Sequence, residues 1–357
     1  MSRFKRMLCA LLALLCAASL TGCGRERQDA AVDLTLWYAE SECSREAMTA
    51  LLDRFREESG LTVDAVAFSD EDALGAAFEN RRPDLLFCSL DRAARMDAVE
   101  PLSALPIHRT RDENIDAASS LIPDGVFYPV GGRLPLLLVN RDLADPVFPD
   151  LETLARVAAD RRSPFLGAES WADLLYQALF SLGQELDGRE KVDSRSEVYR
   201  AVYNTLAAAA YEGGLADVSD NAAAYVRQGL LPCAAVSSTA LVGQADAHLA
   251  IRTLPVPAGG ADCWSAELMG FAALSGRSSA VTFLEWLTDE RAAGLALSAG
   301  LAPLTEVGAD VPSGQLETLL CALQRGGFLR WRPAGGAFDA NRADCEQTLR
   351  RHLDLLA

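Results

Sequence analysis

From Leu34 to Phe87 the hydrophobic pattern switches repeatedly between extended and helical periods, and this alternation constrains the fold of the 357-residue chain more than any other feature. Leu34-Thr35-Leu36-Trp37-Tyr38 reads as a strand. Ser44 then stands where a helix cap belongs, Met48, Leu51, Leu52 and Phe55 recur on one helical face, and Gly60 supplies a stop. A second strand follows over Leu61 to Phe68, and a second helix over roughly Asp70 to Glu79. Pro83-Asp84-Leu85-Leu86-Phe87 closes the unit with a short apolar strand of the kind buried on both faces in parallel sheets. A βαβαβ order makes an open sheet covered by helices, and such sheets take ligands outside the carboxyl ends of their strands.

The amino terminus points to a compartment. Arg3, Lys5 and Arg6 precede an apolar run from Met7 to Ala18, too short for the roughly 20 residues a membrane-spanning helix needs, and this is the pattern of an export signal. Leu20-Thr21-Gly22-Cys23 resembles the bacterial lipobox. Residues 1–22 are therefore expected to be a cleaved lipoprotein signal peptide, with Cys23 lipidated and residues 23–33 a polar tether on the extracytoplasmic face of the cell membrane. A plain secretory signal is the alternative. Cleavage would remove three of the 33 basic groups and no acidic one, leaving 30 against 50, a net charge of −20. Nucleic acid and anionic lipid are poor partners for that charge.

The remaining length exceeds the ~250–300 residues at which one core usually divides, so two lobes are expected. Lobe 1 is read as 34–130 with 269–310, and lobe 2 as 131–268 with 311–357. The strands Gly125 to Val130 and Pro135 to Asn140, broken by Gly131-Gly132, mark a first crossover between lobes, and Leu249 to Leu274 a second. Between Asp142 and Gly229 the pattern is mainly helical, and Leu230 to Ser237 returns to strand. Ser279 and Thr288 read as caps of two helices packed on a sheet, with further helices around Leu316 to Leu323 and Cys345 to Leu356. Cys43, Cys88, Cys233, Cys263, Cys321 and Cys345 permit either disulfides or buried thiols in an exported chain. The histidines His108, His248 and His352 each stand alone, so no metal site is expected.

Four stretches in this order resemble family 1 extracellular solute-binding proteins, the group of maltose-binding protein. They are Leu34 to Trp37 with Ala50 to Val63, then Arg82-Pro83-Asp84 through Asp91-Arg92, then Tyr128 to Leu143 ending Asn140-Arg141-Asp142-Leu143, and Phe271 to Pro303. The resemblance implies a periplasmic-binding-protein-like α/β fold, two α/β lobes joined by a multi-strand hinge with a ligand cleft between them. It implies a monomeric receptor that delivers a small solute to ABC permease subunits, with no cofactor. It maps Asp91 and Arg92 onto a carbohydrate-contacting pair, while Cys88 stands where maltose-binding proteins carry a tryptophan, against a maltose-type cleft.

Sugar recognition needs aromatic faces for C–H patches and polar groups for hydroxyls. Trp37 and Tyr38 at the end of the first strand, with Glu40 and Glu42 beyond, meet that need by position, as do Trp171 after Glu169-Ser170, Trp264 with Glu267 near the hinge, and Trp331 in a Gly/Pro-rich loop. Core packing is the alternative for each aromatic. The chain has no Gly-x-Ser-x-Gly elbow, no Gly-x-x-x-x-Gly-Lys loop and no His-Glu-x-x-His, so enzymatic activity is not expected. A carbohydrate is expected before a polyamine, thiamine or iron-type solute; Glu40, Glu42 and Asp91 would serve a polyamine, and seven tyrosines are few for iron. A sensory lipoprotein without a transporter is the remaining alternative.

Overall fold

The computed structural model describes residues 32–78, 81–96, 127–184, 195–218, 221–244, 246–305, 307, 314–332 and 342–351. The signal, Cys23 and the tether through residue 31, together with His108, His352 and Leu356, lie outside the described residues.

The opening unit forms as its periodicity dictates. Strand β1 (Leu34–Ala39) leads to α1 (Arg45–Ser59), β2 (Val63–Phe68), α2 (Glu71–Phe78), β3 (Leu85–Ser89) and the short α3 (Leu90–Ala94). Ser44 Oγ accepts the Ala47 N–H at the start of α1, and Gly60 ends it at φ 71°, a conformation that costs glycine little. Asp84 braces the unit: its carboxylate accepts Thr35 N–H and Thr35 Oγ1, both at 2.8 Å, and Ser275 Oγ at 2.6 Å.

The next strands are β4 (Phe127–Arg133) and β5 (Pro135–Asn140), followed by α4 (Leu151–Arg161), β6 (Leu166–Ala168), α5 (Trp171–Ser181), α6 (Glu197–Tyr211) and β7 (Leu215–Asp217). Then come α7 (Ala222–Arg227), β8 (Cys233–Ser237), a 3₁₀ turn (Ser238–Leu241), β9 (Leu249–Thr253) and the long β10 (Trp264–Ala273). The chain ends in α8 (Ser278–Trp286), α9 (Asp289–Ser298), β11 (Ala302–Pro303), α10 (Gln315–Arg325), β12 (Leu329–Trp331) and α11 (342–351).

Two sheets result. The first runs β11-β4-β10-β3-β1-β2 with β12 added beside β10, and the second runs β7-β6-β8-β5-β9. Strands β1, β2 and β3 are parallel, β10 runs antiparallel to β3, and β4 runs antiparallel to β10, as strands that pass between lobes and return. The two α/β lobes joined by a multi-strand hinge are those expected from the sequence. The first sheet keeps β4 as far as Arg133 and β10 from Trp264, and the sheet changes at Leu134. Ser238 clamps that point, its N–H donating to Leu134 O (2.8 Å) and its Oγ accepting the Leu134 N–H (3.1 Å).

Each lobe has its own core. Phe55, Phe87, Phe271 and Phe283 interlock edge to face in lobe 1, and Leu154, Phe165, Leu175 and Leu206 fill lobe 2. Close approach at the hinge requires glycine. A Cβ at Gly270 would lie 2.2 Å from Tyr128 O, and one at Gly132 would lie 2.7 Å from the Trp331 ring.

Three local expectations need correction. The region read as mainly helical also holds the three-residue strands β6 and β7. Ser279 does not cap α8; its hydroxyl donates to Asp33 O. Thr288 occupies the N-cap of α9, but its side chain makes no capping bond. The six cysteines from Cys43 to Cys345 are all free, five buried and Cys263 half-buried.

Candidate functional site

The carboxyl end of β3, the start of α2 and the hinge face the start of α5 and the end of β8 across a cavity of about 480 Å³. Lobe 1 supplies Glu71, Asp72, Ser89, Asp91, Arg92 and Arg95. The hinge strands supply Arg133 and Glu267, and lobe 2 supplies Glu169, Ser170, Asp173 and Ser237, joined by Arg332 and Arg342 from the end of the chain.

These charges form a ladder of alternating sign. Arg92 Nη2 donates to Glu71 Oε2 at 2.6 Å, Glu71 Oε1 lies 3.7 Å from Arg133 Nη1, and Arg133 Nη2 donates to Glu267 Oε2 at 2.6 Å. Beyond the hinge, Arg332 Nη1 donates to Asp173 Oδ1 at 2.8 Å, and Arg342 Nη2 donates to Asp173 Oδ2 at 3.2 Å. Asp91 pairs with Arg95 at 3.0 Å. Removing charges from water costs several kcal/mol per ion, which only such pairing offsets.

The titrating groups carry the mark of these surroundings. Burial opposes ionisation of Asp173, yet Arg332, Arg342 and Arg133 together hold its carboxyl down to about 2. Glu267 is likewise lowered, against its burial, by Arg133 first. Glu42 is the exception. It is 0% exposed, neither carboxyl oxygen has a hydrogen-bond partner, and burial followed by the nearby Glu71 pushes it up to about 8.

A hydrogen-bonded path links the walls. Glu169 Oε2 accepts the Ser237 N–H at 2.6 Å, the Ser237 and Thr239 hydroxyls lie 2.9 Å apart, and Thr239 Oγ1 donates to Ser41 O of lobe 1 at 3.2 Å. A contact on Glu169 is thus tied to the relative placement of the lobes.

Asp91, Arg92 and Glu267, expected as ligand contacts, line the cavity wall. Glu42 lies beneath that wall, coupled electrostatically to Glu71, Arg133 and Arg92. The aromatic expectations are corrected. Trp37 packs against Phe68 and Phe78 on one face of the first sheet, and Tyr38 joins the core on the other. Both sit within a central strand, where successive side chains turn to the two helix-covered faces and not off the strand end. Trp171, 1% exposed, is in the core of lobe 2, and Trp264 donates its indole N–H to Leu254 O at 3.2 Å. Trp331 packs over Gly132 at the hinge. Among the described residues that line the cavity, none is aromatic.

Glu71, Asp72, Arg133, Asp173, Arg332 and Arg342 escaped the sequence reading. Arg133 and Asp173 had a signal, a lone charge inside an otherwise apolar run, and a buried charge is the informative exception.

No family model matches the chain, and no curated protein sequence matches it. Solved structures do. A substrate-binding protein of an ABC transporter from Listeria monocytogenes, in complex with cycloalternan, is 10% identical with a TM-score of 0.71, covering 91% of this chain and 94% of that one. The GacH receptor of Streptomyces glaucescens, solved unliganded and with acarbose, is 16% identical with a TM-score of 0.68, covering 89% and 93%. The spermidine/putrescine substrate-binding protein PotD of Streptococcus pneumoniae is 14% identical with a TM-score of 0.67, covering 90% and 99%. The chain therefore has the two-lobed fold of these receptors.

Proposed function

We propose that this chain is an extracytoplasmic solute-binding lipoprotein that captures a small nutrient, a carbohydrate before other classes, and hands it to the permease subunits of an ABC importer. The observation that carries this reading is the ladder of arginine and carboxylate groups drawn from both lobes. A sugar hydroxyl both donates and accepts, so a polyol can bond alternately to carboxylates and guanidiniums along such a wall. Contacts to both lobes favour the closed arrangement by differential affinity, which is the step a receptor contributes to uptake. Recognition here rests on hydrogen bonds and ion pairs, in place of the aromatic stacking expected from the sequence.

In the same reading residues 1–22 are removed, Cys23 carries the lipid, and the monomer works at the outer face of the membrane without metal or cofactor and without turnover of its solute. Replacing Cys23 by Ser should release the protein from the membrane fraction.

A cationic solute is the second reading. Six carboxylates line the cavity against five arginines, with Glu42 behind them, and one structural neighbour is described as a spermidine/putrescine receptor. A thermal-shift panel of maltose, glucose, galactose, spermidine and thiamine separates the two. A ligand at 100 times its Kd stabilises by about 2.7 kcal/mol, a rise of several degrees. A rise with a sugar and none with spermidine is expected; a rise with spermidine alone would overturn the carbohydrate reading. Neighbouring genes for two permeases support the transport role over an orphan sensor.

A further inference from the structure

We infer that Trp331 is a positioning residue of this receptor: it lies across both strands that pass between the lobes and transmits a contact at its neighbour Arg332, in the cavity, to the angle between the lobes. The inference rests on the solute-receptor reading and deepens it, naming the residue through which that same site governs closure.

The Trp331 ring, on β12, reaches across β10 to β4. Trp331 is in register with Ala266 of β10, and a Cβ at Gly132 of β4 would stand 2.7 Å from the ring and 3.0 Å from the Ala266 Cβ. Glycine and alanine, the two smallest residues, thus floor the ring, and anything larger would overpack it. Gly132 lies just before Leu134, where the sheet changes. The ring also packs against two cores at once, one in lobe 1 around Trp37, Leu86 and Phe127 and one in lobe 2 around Leu136, Leu138 and Val236.

Arg332, the next residue, is held at both ends. Its N–H donates to Ala266 O of β10 at 2.7 Å, its Nη1 donates to Asp173 Oδ1 of α5 at 2.8 Å, and it lines the cavity. Successive residues of an extended chain point to opposite sides, so one backbone step separates the cavity from the ring.

A solute that contacts Asp173 or Arg332 shifts α5 relative to β10, and through Arg332 the shift slides the ring over Gly132. Close-packed contacts hold discrete arrangements and do not deform continuously, so a small shift at the cavity becomes a change of lobe angle.

The test is small-angle X-ray scattering of the mature protein after exhaustive dialysis, with far-UV circular dichroism as the check on folding. Trp331→Leu should change the radius of gyration at an unchanged circular dichroism spectrum, and Trp331→Phe should keep the wild-type value. Arg332→Gln should change it as well, and adding Arg332→Gln to Trp331→Leu should bring no further shift, the non-additivity of residues that act through one another. Wild-type scattering from Trp331→Leu, or an Arg332→Gln shift of equal size in both backgrounds, would overturn the inference. Where Trp331→Leu fails to fold, indole emission decides. Arg332→Gln should move the emission of the wild type and leave that of Trp331→Phe in place, and an equal move in both would overturn the inference. No solute enters these measurements, so their failure leaves the receptor reading intact, and that reading stands or falls on the thermal-shift panel.

Discussion

Glu42→Gln should make the protein more resistant to alkaline conditions, because burial beside the cleft favours the protonated form of Glu42. In the native state burial raises it to about 8 from the ordinary 4.5. Between those values the native chain keeps a proton that the unfolded chain has lost, so stability must fall as pH rises. The slope is about 1.4 kcal/mol per pH unit, and across the window from about pH 5 to 8 the loss reaches roughly 4 kcal/mol. Gln has the same shape and no titration. At pH 5 the two proteins should be nearly equal, since neither oxygen of Glu42 has a partner to lose. Urea unfolding of both proteins at pH 5, 6, 7 and 8, followed by tryptophan fluorescence, reads the difference directly, because every other titrating group is common to the pair. The Gln variant should gain steadily on the wild type up to about pH 8 and then hold its lead. Parallel curves across that range would show that Glu42 ionises in the folded protein and that its burial has been misjudged.

Asp84→Ala should destabilise lobe 1 by about 2–4 kcal/mol in chemical denaturation, because it strands the Thr35 N–H and two hydroxyls in a buried corner. Gly132→Ala should cost about 1–3 kcal/mol, read as a lowered melting temperature, since the new methyl meets the Trp331 ring and the Ala266 Cβ. Trp264→Phe should lose about 1 kcal/mol more than Trp171→Phe, because only the Trp264 indole N–H has an acceptor, Leu254 O. Neither tryptophan variant should change solute affinity by titration.

The opening βαβαβ unit was legible because its strands are short apolar runs, α1 repeats its apolar residues on one face, and α1 carries Ser44 and Gly60 at its two ends. Strands β6 and β7 were not, because three residues amid alanine- and leucine-rich helices are too few to show a period. Asp91 and Arg92 were legible as residues just past a buried strand, the part of an α/β sheet that faces ligand. The tryptophans misled for the complementary reason. A large aromatic inside a strand or on the inner side of a helix gains more by filling a core than by lining a cleft, and Trp37, Trp171 and Trp264 do so. Asp173 meets its arginines across 159 and 169 residues of sequence, and no local pattern records such a pairing. Arg133 shows what a sharper reading would seek, a single charge that the surrounding apolar strand must bury.

Native mass spectrometry of the mature protein, purified without refolding, tests most directly whether a small hydroxylated solute is held between the lobes. One such solute per chain is expected on the wild type, weakened by Asp91→Asn in lobe 1 and equally by Glu169→Gln in lobe 2. A solute retained undiminished by both variants, or a polyamine in its place, would contradict a hydroxylated solute gripped from both sides of this cleft.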